Sequence, residues 1–265
     1  MEFKFPLKKV KSKYYLALDI GTEAVKTLVF KTERQKIQIL GSSVQYFDQF
    51  GLFNSLNFET QIKRRVISKA IGEAKGKLDF KKIPTLLSLP ANLLKGRISY
   101  QFFKREGVSK IDENEEKAIY QKISERAEEE ISRAFQIESG LLPEDLRFQS
   151  SEILEIKIDG YRVEKTSGFK GKNLEFKILV TFLPKYDFEK IEKIIRDFNL
   201  RLLRVINLAE NLSYFFKEQR TGIFLDIGGD LTQVLIVREG NLNQIFEFEI
   251  GGRCFSKVLS ERLGL

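Results

Sequence analysis

Two separate segments of the chain repeat one pattern of apolar and polar positions. Each begins with an apolar run that ends in Asp-Ile-Gly, passes through a short polar turn, and closes with a second apolar run; the segments are residues 16–30 and 223–237. Apolar runs on either side of a glycine-bearing turn are typical of a β-hairpin. The pattern therefore predicts the same hairpin twice, with the second copy opening a repeat of the first unit.

The two hairpin turns suggest a chemical function. The backbone N–H groups of such a turn form a concavity that binds anions, including phosphate oxygens. Asp19 and Asp226 precede the turns, and each carboxylate would repel a phosphate unless a divalent cation lay between them. Mg²⁺ takes oxygen ligands and bridges carboxylates to phosphates. Two such turns facing each other therefore predict a clamp for a nucleotide polyphosphate with Mg²⁺, although Asp and Gly are also ordinary turn residues.

Hydrophobic periodicity predicts the elements that follow the first hairpin. Alternation over residues 36–47 indicates a third strand, helical spacing over 59–76 an amphipathic helix, and the apolar run 83–90 between prolines a buried strand. The predicted order is β-β-β-α-β, in which the helix covers the sheet.

The pattern changes after residue 95 and indicates an inserted module. An alternating strand (97–104) precedes a long charged helix (112–135), for which Asp112 is the predicted N-cap. Two strands follow, at residues 149–163 and 174–183. The strand-helix-strand-strand order, without a phosphate-type turn, predicts a small satellite domain inside the first one.

From residue 185 the chain returns to the hydrophobic pattern seen before residue 95. A helix (187–198), a short strand (202–206) and another helix (208–219) lead to the second hairpin. A strand at 244–250 and a Gly-Gly turn that opens a helix follow it. The predicted domains are 1–95 and 185–220 for the first domain, 96–184 for the module, and 221–265 for the start of a second, truncated domain.

Composition narrows the classes of function. The 265 residues are 42% hydrophobic with 23 Phe, which provides ample core and argues against disorder. The chain has no histidine, so histidine acid-base chemistry and histidine metal sites are excluded. One cysteine, Cys254, excludes an intrachain disulfide and fits a reducing compartment. The net charge of +8 is spread among 37 acidic residues, so most charges are expected on solvated faces.

These patterns resemble the actin-like ATPase superfamily, which includes actin, sugar kinases and Hsp70. The resemblance is carried by Asp19-Ile20-Gly21-Thr22, by Asp226-Ile227-Gly228-Gly229, and by the order of the elements. It implies an α/β, actin-like (ribonuclease H-like) β-β-β-α-β-α domain with an inserted module, and the start of a second such domain. The position of the module is similar to that in the cell-division protein FtsA and in the pilus assembly protein PilM.

The resemblance also implies the site. ATP and Mg²⁺ are the expected cofactors, and Asp19 and Asp226 would hold the metal through water. Glu210 occupies roughly the place of the residue that orients the attacking water, although an acidic residue in a first helical turn is also favoured by the helix dipole. The residues implied to bind the phosphates are Asp19, Gly21, Thr22, Lys26, Asp226, Gly228, Gly229 and Thr232.

Two positions depart from the family pattern. Asp230 stands where the second loop often has glycine, and Gln233 stands where an acidic residue is common. An additional carboxylate at Asp230 would either ligate metal or weaken phosphate binding. At most a slow Mg-dependent ATPase is therefore expected.

The family comparison favours an FtsA-like cytoplasmic protein, peripheral at the inner face of the membrane. Its expected partners are bacterial tubulin-like or other cell-division proteins, and copies of itself in filaments. The alternative is a PilM-like scaffold that binds a peptide of an inner-membrane assembly protein. The family's adenosine-binding loop would follow residue 265.

Two rival classes are less favoured. A sugar-kinase-type phosphotransferase would need a catalytic aspartate, and the candidates Asp48 and Asp79 lie in weakly patterned segments. A nucleic-acid-binding module would need a basic stripe with interleaved aromatics. The basic segment 4–15 is short, so nucleic acid is not an expected partner.

Overall fold

The structure is a computed structural model that describes residues 14–33, 36–47, 61–79, 81–213 and 221–264. The chain divides into two compact units, one of residues 1–89 with 189–206 and one of residues 90–188 with 207–265. The four-part division expected from the sequence remains a prediction. Asp48 and most of the basic segment 4–15 lie outside the described residues.

The first unit is built on a five-stranded sheet in the order β3-β2-β1-β4-β9. Strands β1 and β3 each run antiparallel to β2, which lies between them, whereas β4 runs parallel to both β1 and β9. This is the predicted β-β-β-α-β order, closed by one more strand after the insertion. The strands are β1 Tyr14–Ile20, β2 Ala24–Glu33, β3 Lys36–Tyr46, β4 Ile83–Ser88 and β9 Leu200–Ile206.

Helix α1, Gln61–Lys75, covers this sheet as its periodicity predicts. It lies directly against β3 at Gly41, where an added Cβ would stand 2.1 Å from the carbonyl oxygen of Ala74. Glycine is therefore required at that position because the helix backbone approaches the strand too closely for a side chain.

The second unit contains the inserted module, a four-stranded sheet in the order β5-β8-β6-β7 with α2 packed on one face. Asp112 caps α2 as predicted, since its carboxylate accepts hydrogen bonds from the amides of Asn114 and Glu115 at 2.8 Å. Helix α3, Lys185–Asp197, follows the module in the chain, and its residues from Glu189 onward belong to the first unit. The module elements are β5 Lys95–Lys104, α2 Glu113–Ser139, β6 Leu146–Ile158, β7 Tyr161–Val163 and β8 Asn173–Pro184.

The single strand predicted at residues 149–163 is wrong. Asp159 and Gly160 both adopt positive φ angles, 48° and 86°, which breaks the strand into the hairpin β6–β7. An aspartate tolerates this conformation better than most residues. The extra short strand β7 is the consequence.

A three-stranded antiparallel sheet completes the second unit. Its strands are β10 Gly222–Ile227, β11 Thr232–Arg238 and β12 Asn241–Phe248; helix α4, Leu208–Ser213, precedes it and α5, Gly252–Leu263, follows it. One face packs on the module, where Leu235, Val237 and Leu242 join Leu179 and Ala209 in a buried cluster. The predicted continuation of α4 to residue 219 lies outside the described residues.

Candidate functional site

The first hairpin places Asp19 and Lys26 side by side. They are directly opposite each other on β1 and β2, so their side chains share a face of the sheet. The Lys26 ammonium lies 3.5 Å from the Asp19 carboxylate, and both side chains are accessible to solvent. The turn is closed by a hydrogen bond of 3.0 Å from the Gly21 amide to the Ala24 carbonyl. A carboxylate and an ammonium thus stand together at the end of the strand.

The second hairpin repeats this construction. Asp226 lies directly opposite Gln233 on β10 and β11. The Gly228 amide closes the turn with a bond of 2.8 Å to the Leu231 carbonyl, at the same spacing as in the first hairpin. The duplication predicted from the sequence is therefore confirmed in pairing register and in turn hydrogen bond. Gln233 is the counterpart of Lys26.

Thr22 and Gly229 occupy equivalent places within the two turns, and both are buried. Thr232 is placed differently, because it pairs with Ile227 and therefore points to the sheet face opposite Asp226. Its hydroxyl donates to the Ile250 carbonyl at 2.6 Å. The structure does not bring Thr232 together with Asp226, and its hydroxyl serves to hold the end of β12.

Helix α5 begins against the second turn. The amides of Gly252 and Arg253 donate to the carbonyls of Gly228 and Gly229, each at 2.9 Å. An added Cβ at Gly251 would lie 2.3 Å from the Gly229 oxygen, so a side chain there is excluded. The first amides of this helix are thereby used to fix the turn.

The extra carboxylate of the second turn has a partner. The guanidinium of Arg253 donates to Asp230 at 3.1 Å, and the Arg253 side chain is buried. The negative charge that was expected to ligate metal or repel phosphate is therefore compensated within the protein. The sequence alone indicated only that Asp230 lies in a turn and that Arg253 lies at the start of a helix, which does not predict that they pair.

A polar group missed by the sequence reasoning lies next to Gln233. Gln233 faces Glu247 across β11 and β12. The Glu247 carboxylate is nearly buried and is held by Lys95 at 3.0 Å and Arg97 at 3.6 Å, both on β5 of the module. Because β5 and β12 are far apart in the sequence, local patterns carried no signal for this contact.

Glu210 is buried in the first turn of α4. Its carboxylate accepts a hydrogen bond of 3.2 Å from the Ser150 hydroxyl, which in turn lies 2.7 Å from that of Thr181. These contacts link α4 to the module. The water-orienting role expected for Glu210 remains a prediction.

The carboxylates that precede the turns suit a hard cation. Asp19 and Asp226 are both oxygen ligands at strand ends, and neither is buried. Among the described residues, no group of three or more Asp, Glu or Cys side chains is close enough to hold a metal ion on its own. A metal held here would therefore take most of its ligands from water and phosphate, as Mg²⁺ commonly does.

Across the described ranges, no helix is long and apolar enough to span a membrane.

Comparison with known proteins identifies the fold. No family model matches the sequence, and no curated protein matches it by sequence. Among solved structures, PilM in the PilM–PilN type IV pilus biogenesis complex aligns with a TM-score of 0.64 at 12% identity, covering 97% of this chain and 67% of that one. The ethanolamine utilization protein EutJ from Carboxydothermus hydrogenoformans has a TM-score of 0.46 at 11% identity, over 97% of this chain and 59% of its own.

The cytoplasmic domain of EpsL, an inner membrane component of the Vibrio cholerae type II secretion system, has a TM-score of 0.41 at 11% identity, covering 93% of this chain and 73% of that one. At these identities the comparisons establish the fold alone, and the fold assignment rests on the PilM match. The chain thus has the mixed α/β, actin-like fold that its sequence predicts, over about two thirds of the PilM chain.

Proposed function

We propose that this protein is a nucleotide-binding, actin-like scaffold of a membrane-associated assembly system, of the PilM type. The proposed ligand is Mg·ATP, bound by the two hairpin turns. Hydrolysis, where it occurs, is slow. The observation that carries the proposal is the duplicated hairpin, in which a turn of the same hydrogen bonding follows a strand-ending aspartate in both copies.

Each hairpin has a distinct part in this proposal. Bound Mg²⁺ supplies positive charge that neutralises the polyphosphate and polarises its phosphoryl oxygens. Asp19 and Asp226 would hold the metal through water. Lys26 stands beside Asp19 and donates to a phosphate oxygen, and the backbone of the glycine turns permits close approach of the phosphates.

The scaffold role is supported by the PilM comparison. In that structure PilM is part of a complex with PilN. We propose that this chain likewise binds a short segment of a membrane protein at the inner face of the cell membrane, in the cytoplasm. The FtsA-like role in cell division, with filament formation and tubulin-like partners, remains the alternative prediction from sequence; the structural comparison favours the PilM type.

Calorimetry of Mg·ATP with the full chain tests the nucleotide site. The wild type is expected to bind, whereas Asp19→Asn and Asp226→Asn should each weaken binding at least tenfold because the metal loses a charged anchor. Asp79→Asn is the matched control, since Asp79 is an exposed carboxylate on a loop of the first unit. Equal affinity of the wild type and both site variants would refute the nucleotide clamp.

The scaffold role needs a separate measurement. Overlapping labelled peptides from the PilN homologue of the same organism would be titrated with the full chain and followed by fluorescence anisotropy. Saturable binding of one contiguous peptide is expected. If every peptide fails to bind while Mg·ATP binds normally, the PilM-type assignment is wrong and the nucleotide site stands.

A further inference from the structure

Gln233 is a buried polar residue whose amide nitrogen is unsatisfied. The residue is 3% exposed, and no described part of the chain accepts a hydrogen bond from its Nε2 atom. A buried donor without a partner destabilises the folded protein, and such groups are uncommon in native structures. An acceptor supplied by a ligand would account for it.

The position of Gln233 indicates which ligand. Its side chain shares a sheet face with Asp226, which lies directly opposite on β10. In the first hairpin the same position is held by Lys26, whose ammonium lies beside Asp19. Both side chains are hydrogen-bond donors, one charged and one neutral, and each stands next to the aspartate that precedes the turn.

Glu247 lies opposite Gln233 but accepts no hydrogen bond from its amide. The carboxylate of Glu247 faces Gln233 from the other side, but it is held by Lys95 and Arg97. Its Oε1 atom accepts no hydrogen bond from Gln233 or from the other described residues. The two cations offset the negative charge of this carboxylate near the site.

We infer that Gln233 binds the polyphosphate at the second hairpin, where its Nε2 amide donates to a phosphoryl oxygen beside Asp226. The inference rests on the proposed nucleotide function and assigns a residue to it that was noted in the sequence only as a departure. A carboxylate at this position is an acceptor only and would repel the phosphate. An amide donates without adding charge, so the two hairpins present one cationic and one neutral donor.

The variant Gln233→Met tests this role, because methionine has nearly the same shape but no hydrogen-bonding amide. Calorimetry with Mg·ATP, and with Mg²⁺ and inorganic tripolyphosphate, should show a loss of about tenfold for both ligands, the value of one hydrogen bond to a charged acceptor. Without ligand, the melting temperature should equal or exceed that of the wild type, because an unsatisfied buried donor has been removed. A merely structural role predicts a lower melting temperature.

Gln244→Met is the matched control. Gln244 is an exposed glutamine of the same sheet, opposite Ile236 and hence on the other face from Gln233. It should change neither affinity nor melting temperature. Gln233→Glu provides a second variant, for which the loss of affinity should exceed that of Gln233→Met because the new carboxylate repels phosphate.

The outcomes separate this inference from the function on which it rests. If the wild type binds Mg·ATP, Asp226→Asn weakens binding, and Gln233→Met binds as tightly as the wild type, the role of Gln233 is refuted and the clamp remains. If Gln233→Met melts at a lower temperature with unchanged affinity, the residue is structural. If the wild type itself binds neither Mg·ATP nor tripolyphosphate, the proposed function fails.

Discussion

Lys26 and Gln233 hold the same place in two hairpins, each directly opposite the aspartate that precedes its turn. The two residues are equivalent because both hairpins have the same strand register. The turn hydrogen bonds donated by the Gly21 and Gly228 amides are equivalent as well. The two copies therefore share a backbone but differ in the donor they present.

The close approach of α5 to the second turn leads to a first prediction. Gly251→Ala should lower the free energy of unfolding by about 1–3 kcal/mol, because its Cβ would overlap the Gly229 carbonyl and force the helix away from the turn. Mg·ATP affinity should fall with it, since the turn loses its support. Urea denaturation and calorimetry measure the two effects.

Gly252→Ala is the matched control for Gly251→Ala. The nearest atom to its added Cβ, the Gly228 oxygen, lies at 3.7 Å, an ordinary contact. Stability should stay within about 1 kcal/mol of the wild type. Equal losses for the two alanine variants would show that the contact at Gly251 is not decisive.

The ion pair between Asp230 and Arg253 leads to a second prediction. Asp230→Asn should reduce stability by about 1–2 kcal/mol, because the buried Arg253 guanidinium loses its charged partner. Mg·ATP affinity should change by no more than about twofold, since the Asp230 charge is already compensated. A variant of full stability that binds Mg·ATP at least tenfold more weakly would instead identify Asp230 as a metal ligand.

The carboxylate of Glu247 leads to a third prediction. Glu247→Gln should cost about 1–3 kcal/mol of unfolding free energy, because Lys95 loses the carboxylate it contacts and Arg97 keeps only Glu138 of its two carboxylate partners. Glu249→Gln, at an exposed site on the same stretch, should stay within about 0.5 kcal/mol.

A double-mutant cycle isolates the Lys95 contact. Lys95→Met should cost less stability in the Glu247→Gln background than in the wild type, because the two side chains interact directly. Strictly additive losses, measured by urea denaturation, would show that the pair contributes nothing to folding.

Glu116 on α2 leads to a prediction of pH dependence. Burial of its carboxylate raises the pKa, but hydrogen bonds from Ser167 and Thr166 outweigh burial and leave the pKa of Glu116 below its usual value of 4.5. A lowered folded-state pKa contributes stability that is fully present above pH 4.5 and is lost as the pH falls through the folded-state pKa. Acidification should therefore loosen the segment that Thr166 and Ser167 anchor.

Thermal unfolding from pH 7 to pH 3 measures the effect. Glu116→Gln should lower the melting temperature at pH 7 and flatten its fall below pH 4.5. Glu125→Gln, on the exposed face of the same helix, should reproduce the wild-type curve. A wild-type slope retained by Glu116→Gln would assign the acid sensitivity to other carboxylates.

The sequence alone predicted the elements whose signal is local. Asp112 was recognised as an N-cap because capping depends on residues within one helical turn. The strand expected at residues 149–163 was misjudged because Asp159-Gly160, a dipeptide typical of a two-residue hairpin turn, was taken as part of the strand. Local patterns are reliable where one turn or one alternating run decides the conformation.

The sequence by itself determined the α/β order of elements and the two hairpins whose first apolar run ends in Asp-Ile-Gly. The physical reason is that the apolar spacing of each strand and helix depends only on a few neighbouring residues. The tertiary structure alone decided which side chains share a face. Pairing register turned Thr232 away from Asp226 and set Gln233 beside it, and contacts across long sequence separations joined Lys95 to Glu247 and Arg253 to Asp230. Those choices depend on how strands and helices pack, because a shift of one residue in register exchanges the two faces of a strand.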